Sequence, residues 1–213
     1  MSKVIHIDPE APSAEAINLA ATVLRDGGIV VFPTETVYGI GAAATSCIGP
    51  QEIIDIKMRP ASKPLPWLVE TDDALDTYGM EVPEYAHRLA AHFWPGPLSL
   101  VVKASARVSK DFTDSRGTVA LRAPDHEVVQ ELIKASGGPI ITTSANTSGK
   151  HAPASFDELE SRIVAAADLT LDGGETKHGI ASTVVDCTGL VPVILRDGAI
   201  PADEIAAVAM PDA

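Results

Sequence analysis

Residues 28–41 read GIVVFPTETVYGIG, and the reading of this stretch decides the fold. Ile29 to Phe32 is a run of four apolar residues, two of them valines, which suits a strand covered on both faces. The character then changes at once. Pro33 fixes φ and gives up a donor, and Thr34, Glu35 and Thr36 place two hydroxyls and a carboxylate where a buried strand would emerge. Gly39 and Gly41 permit turns or close approaches that a side chain would forbid. The stretch alone leaves two readings open: the wall of a ligand site, or a strand followed by a Thr-rich turn.

The 213 residues can bury one sizeable core, and a single domain is expected. Hydrophobic residues make up 46% and charged residues 21%, the balance of a globular chain. No apolar run approaches the roughly 18 residues of a membrane span, and the N-terminus lacks an apolar signal core, so a cytoplasmic protein is expected. A net charge of −13 argues against a broad nucleic-acid surface but allows a local basic pocket. Cys47 and Cys187 show no CxxC spacing and read as buried free thiols. The six histidines form no HxH or HxxxH pair, so no metal centre is expected.

Working outward, residues 4–7 form a first strand, and Ser13 caps a helix that ends near Gly27. Residues 51–58 read as a helix stopped by Pro60, with Lys57 and Arg59 at its end. Lys63 follows in a proline-rich segment that leads to an edge strand. Three cations in seven residues of an acidic protein point to a bound polyanion, against a reading as helix-dipole capping alone. Thr71 is expected to cap a short helix, and residues 83–93 form another.

Residues 98–103 and 118–122 are strands joined by a polar loop carrying Lys110, Asp111 and Arg116. Arg122 ends its strand, and Asp125 is expected to cap a helix closed by Gly137. Residues 139–143 run into TTSANTSG, a concentration of neutral donors suited to phosphate oxygens, or else a Ser/Thr-rich turn. Ser155 and Glu158 read as a capping box. Strands at 169–171, 184–187 and 193–196 and a helix after Pro201 complete the chain.

FPTETVYGIG (32–41), KMRPASKPL (57–65), FWPGPLSLVV (93–102), VALRAPDH (119–126), TTSANTSG (142–149), IASTVVD (180–186) and ILRDGAI (194–200) occur in this order. Together they resemble the YrdC-like family of threonylcarbamoyl-adenylate synthases over about residues 14–200. The resemblance implies a single mixed α/β (α+β) domain, 1–213, in which an open twisted mixed sheet with helices on its faces surrounds a concave pocket. The extra C-terminal domain of longer members is not expected.

The family's activity would be condensation of L-threonine, bicarbonate or CO2 and ATP to threonylcarbamoyl-AMP and pyrophosphate. A downstream tRNA threonylcarbamoyl transferase complex would use the product beside the anticodon, with tRNA bound only weakly or indirectly and no membrane partner. The family's catalytic K-x-R and S-x-N pairs fall on Lys57, Arg59, Ser144 and Asn146. By similarity, Lys57, Arg59, Lys63, Thr118, Ser144, Asn146 and Arg196 would contact ATP, with Mg2+ carried by its phosphates. Thr34, Arg122, Thr142 and Ser182 would hold threonine, its carboxylate in the planar fork of Arg122.

A carbamate nucleophile is already an anion, so Glu35 is read as structural or orienting rather than as a base. Two departures are visible: Leu68 stands where many members carry a histidine near the threonine, and KPL where NPL is frequent. The competing readings are a double-stranded-RNA or tRNA-binding module of the same fold, and a carbamoyl-transfer homologue with another acceptor.

Overall fold

The computed structural model describes residues 3–46, 51–58 and 65–210. Strand β1 (Lys3–His6) is followed by helix α1 (Ala14–Arg25), whose Ser13 hydroxyl accepts from the Ala16 N–H as an N-cap should. Then come β2 (Val30–Phe32), β3 (Gly39–Ala43), α2 (Gln51–Lys57), β4 (Trp67–Leu68), α3 (Ala74–Tyr78) and α4 (Glu84–Phe93). The chain continues through β5 (Leu98–Lys103), β6 (Thr118–Arg122), α5 (Glu127–Ser136) and β7 (Ile140–Ser144). It ends with α6 (Ser161–Ala166), β8 (Leu169–Asp172), β9 (Thr183–Asp186), β10 (Val193–Arg196) and α7 (Ala202–Ala209).

Among the described residues the strands form one mixed sheet in the order β1-β8-β2-β3-β7-β4-β6-β5-β9-β10. On β2, Val30 and Phe32 enter a core built with Ile17 and Leu24 of α1 and Val128 and Leu132 of α5. Val31, between them, enters the larger core on the other face, with Leu89 of α4 and Ile205 of α7. A strand alternates its side chains, so residues buried in two directions explain the uninterrupted apolar run.

Several expectations are corrected. Gly39 and Gly41 lie within β3, antiparallel to β2 and β7, and not in a turn. What they provide is close approach: a Cβ on Gly41 would stand 2.6 Å from the Ile141 carbonyl oxygen, and one on Gly39 would stand 3.0 Å from Thr142 Oγ1. β4 is no edge strand, because it pairs with β7 on one side and parallel to β6 on the other. Asp125 does not cap α5; His126 occupies the cap position, without a side-chain bond, and Gly137 closes the helix at φ 83°. Asp73 stands at the start of α3 in place of Thr71. Ser155 precedes and Glu158 ends a 3-10 turn, Phe156–Glu158, with no capping bond from Ser155. Arg116, in the loop before β6, is held at 2.7 Å by Asp186 and at 3.0 Å by Asp114.

Helices α1 and α5 cover one end of their sheet face. Beyond α5, Leu68 and Arg122 share that face through the parallel register of β4 and β6, and Thr142 shares it with Ile140. Polar side chains that are buried without a covering helix mark where the molecule leaves space.

Candidate active site

That space is a cavity of about 110 Å³ on the open part of the sheet. Its floor carries Leu68, Ser99, Arg122, Thr142 and Ser144, and its rim includes Thr34, Thr36, Tyr38, Ser182 and Arg196. The end of β2 delivers Thr34, Glu35 and Thr36; the ends of β6 and β7 deliver Arg122 and Ser144; the entry to β9 and the end of β10 deliver Ser182 and Arg196.

Arg122 is 7% exposed and heavily committed. Its Nη2 lies 2.6 Å from Glu35 Oε1 and donates to Thr36 Oγ1 at 3.1 Å, while Nε donates to the Gly96 carbonyl at 3.2 Å. Nη1 makes no hydrogen bond among the described residues. The guanidinium therefore keeps the two N–H bonds of Nη1 uncommitted among the described residues, while Nε and Nη2 are engaged within the protein.

Glu35 is 1% exposed. Burial pushes its carboxyl up, but the charge and hydrogen bond of Arg122, with a bond from the Asp125 N–H, outweigh burial and bring it below its ordinary range. Glu35 is thus a buried carboxylate that holds Arg122, and not a base facing the cavity. A chain of hydroxyls continues from the guanidinium: Thr36 Oγ1 lies 2.8 Å from Thr34 Oγ1, which donates to the Val37 carbonyl at 2.7 Å.

On the far rim, Arg196 Nη2 donates to the Ser182 carbonyl at 2.6 Å and to its hydroxyl at 2.9 Å. Ser182 Oγ in turn lies 3.0 Å from Ser99 Oγ. Thr142 donates its hydroxyl to the Ile40 carbonyl at 3.1 Å.

The ammonium of Lys57 is turned inward, and the residue is 1% exposed. It donates to the Ser144 carbonyl, to the Asn146 carbonyl at 2.6 Å and to Asn146 Oδ1 at 3.4 Å. Asn146 spends its amide on the carbonyls of Thr147 and Lys150, both at 2.9 Å. Lys57 and Asn146 therefore stand behind the cavity and shape the loop that presents Ser144.

The fold brings together Thr34, Arg122, Thr142, Ser144, Ser182 and Arg196. Thr118 is apart from them: it starts the strand that Arg122 ends, about 13 Å away. Arg59, Lys63 and Cys47 lie outside the described residues. Cys187 is a buried free thiol, as expected, pushed up to about 12 by burial and the nearby Asp186 carboxylate. Sequence reasoning missed Thr36 and Ser99 as cavity residues. The signal for Ser99 was a lone hydroxyl inside LSLVV; for Thr36 it was proximity to Thr34 alone.

The Sua5/YciO/YrdC family model, described as "Telomere recombination", matches residues 22–198. A threonylcarbamoyl-AMP synthase of Pyrococcus abyssi is 43% identical over 189 residues, 89% of this chain and 56% of that protein. The chain thus spans little more than half the length of that relative. A putative threonylcarbamoyl-AMP synthase of Mycobacterium tuberculosis is 36% identical over 206 residues, 97% of this chain and 94% of that protein. The structure superposes on that of P. abyssi Sua5 complexed with L-threonine at a TM-score of 0.90 and 40% identity, covering 97% of this chain and 61% of that one. Fold, motifs and matched length agree that the chain belongs to the Sua5/YciO/YrdC family.

Proposed function

We propose that this chain is an L-threonylcarbamoyladenylate synthase, a nucleotidyltransferase that condenses L-threonine, bicarbonate or CO2 and ATP to threonylcarbamoyl-AMP and pyrophosphate. The observation that carries the reading is one cavity lined by Arg122, whose Nη1 amino group is uncommitted among the described residues, by Ser144 and by Arg196. A related protein of this fold, P. abyssi Sua5, has been solved with L-threonine.

Threonine would enter with one carboxylate oxygen on Arg122 Nη1 and its remaining polar groups among Thr34, Thr36, Thr142, Ser99 and Ser182. The chemistry that follows needs no strong base from the protein. Threonine's free amine adds to CO2, or to bicarbonate with loss of water, and the N–H proton released on CO2 addition goes to solvent, leaving a carbamate anion. A carbamate oxygen then bonds to the α-phosphorus as the bond to the bridging oxygen breaks and pyrophosphate leaves. Such a transfer depends on alignment and on stabilising the charge that grows on the phosphate oxygens. Arg196, with Arg59 and Lys63, would supply that charge, and Ser144 would orient a phosphate oxygen by a neutral hydrogen bond. Lys57 and Asn146 would act by holding the Ser144 loop in place. Thr118 would serve the nucleotide only where ATP extends along β6.

ATP is taken as its Mg2+ complex, the ion keeping phosphate oxygens and water as ligands. No helix among the described residues is long and apolar enough to cross a membrane. The product would pass, in the cytoplasm, to a transferase acting on tRNA.

The test is pyrophosphate release by the purified chain from ATP, with threonine and bicarbonate supplied or omitted in turn. Release that requires both is expected. Release unchanged when threonine is left out overturns the reading.

A further inference from the structure

Two side chains outside the cavity converge on the loop that follows β7. Glu160, immediately before α6, accepts the Thr147 N–H at 2.7 Å on Oε1 and the Thr147 hydroxyl at 2.9 Å on Oε2. Lys150 Nζ donates to the same Oε2 at 2.7 Å. Arg162, two residues along, donates from Nη2 and Nε to Thr147 Oγ1 at 2.6 and 3.1 Å. Its Nη1 donates to the Ile56 carbonyl at 2.7 Å.

Ile56 belongs to the last turn of α2, where carbonyls have no partner within the helix and a cation complements the dipole. The Ser148 N–H donates to the next carbonyl, that of Lys57, at 2.9 Å. One hydroxyl, Thr147 Oγ1, is therefore shared by an acid and a base that also grip the loop backbone and the end of α2. Between these anchors run Ser144 and Asn146 on one side and Lys57 on the other.

We infer that Glu160 and Arg162 are positioning residues for the reaction: they lock the Ser144–Lys150 loop to the C-terminal turn of α2 without touching substrate. This assignment rests on the function proposed above.

Lys57 bonds to the Ser144 and Asn146 carbonyls only while α2 and the loop keep this register. A shift of about 1 Å in aligned groups can cost a hundredfold in rate. The anchors themselves are partly exposed, with side-chain exposures of 23% for Glu160 and 42% for Arg162. Partly exposed pairs contribute little to global stability, so their effect should be local geometry. Donation by Lys150 and by the Thr147 N–H and hydroxyl keeps the Glu160 carboxyl ionised, down to about 2.

The test compares Glu160→Ala, Arg162→Ala and Thr147→Val with the unmodified chain in three measurements: amide exchange at 145–148, calorimetric binding of ATP and of threonine, and thermal unfolding. Faster exchange at 145–148 is expected, with ATP affinity lowered roughly tenfold or more and threonine affinity within about twofold. Arg162→Lys, which can still reach one acceptor, should recover part of the loss.

Unchanged exchange and ATP affinity overturn the inference. So does a parallel fall in threonine affinity and melting temperature, the mark of a general structural role. Because exchange needs no turnover, it reads the lock even if threonine-dependent pyrophosphate release fails and takes the proposed function with it.

Discussion

Glu35 and Arg122 face each other across 2.6 Å in a buried ion pair, from the loop after β2 and the end of β6. With the bonds to Thr36 and to the Gly96 carbonyl, the contact leaves the guanidinium only the two N–H bonds of Nη1, so these partners set what Arg122 can offer. Removing one partner of a buried pair strands the other charge. Arg122→Ala should therefore lower unfolding free energy by about 3 kcal/mol or more. In the double change Glu35→Gln/Arg122→Met most of that stability should return while threonine binding stays lost. Urea unfolding and calorimetry separate the two effects, and a double variant that still binds threonine would remove Arg122 from the site.

The same pair predicts a pH dependence. The Glu35 carboxyl titrates lower in the folded chain than its ordinary value of 4.5, because Arg122 outweighs burial. Its contribution to stability is therefore present above about pH 4.5 and is lost as pH falls through the lower folded value. Glu35→Gln, which cannot titrate, should show a shallower fall in stability below pH 4.5. Equal slopes for the two proteins would show that the Glu35 carboxyl is not held by Arg122 in solution.

Lys57→Met separates a shaping lysine from one that serves only phosphate. With its ammonium on the Ser144 and Asn146 carbonyls, loss of the donor should destabilise the ligand-free chain by about 1–3 kcal/mol. A lysine reserved for phosphate would leave stability unchanged or raised in the free protein. Chemical unfolding without nucleotide decides between them.

Gly41→Ala tests the close approach of β3 to β7. The added Cβ would meet the Ile141 carbonyl oxygen at 2.6 Å, a backbone atom that cannot move without disturbing the ladder. A loss of about 1–3 kcal/mol is expected in thermal or urea unfolding. A neutral result would mean that the two strands are less closely packed.

Local features were legible because their causes are neighbours in the chain. The Ser13 cap, the Gly137 stop and the doubly buried β2 each depend on residues a few positions apart or on a simple apolar run. Leu68 was harder. A two-residue strand entered through prolines looks like an edge, and only pairing with β6 and β7 places it in mid-sheet.

The site divides in the same way. The family resemblance carried by the ordered motifs made Thr34, Arg122, Thr142, Ser144, Ser182 and Arg196 candidates for one site. Sequence did not determine what those groups would already be bonded to. Glu35, Thr36 and the Gly96 carbonyl engage Nη2 and Nε of Arg122, and the Ser144 loop takes the Lys57 ammonium. Such commitments join residues on distant strands and helices. Burial makes an unpartnered charge too costly to leave, so the order of the strands decides which partner it takes.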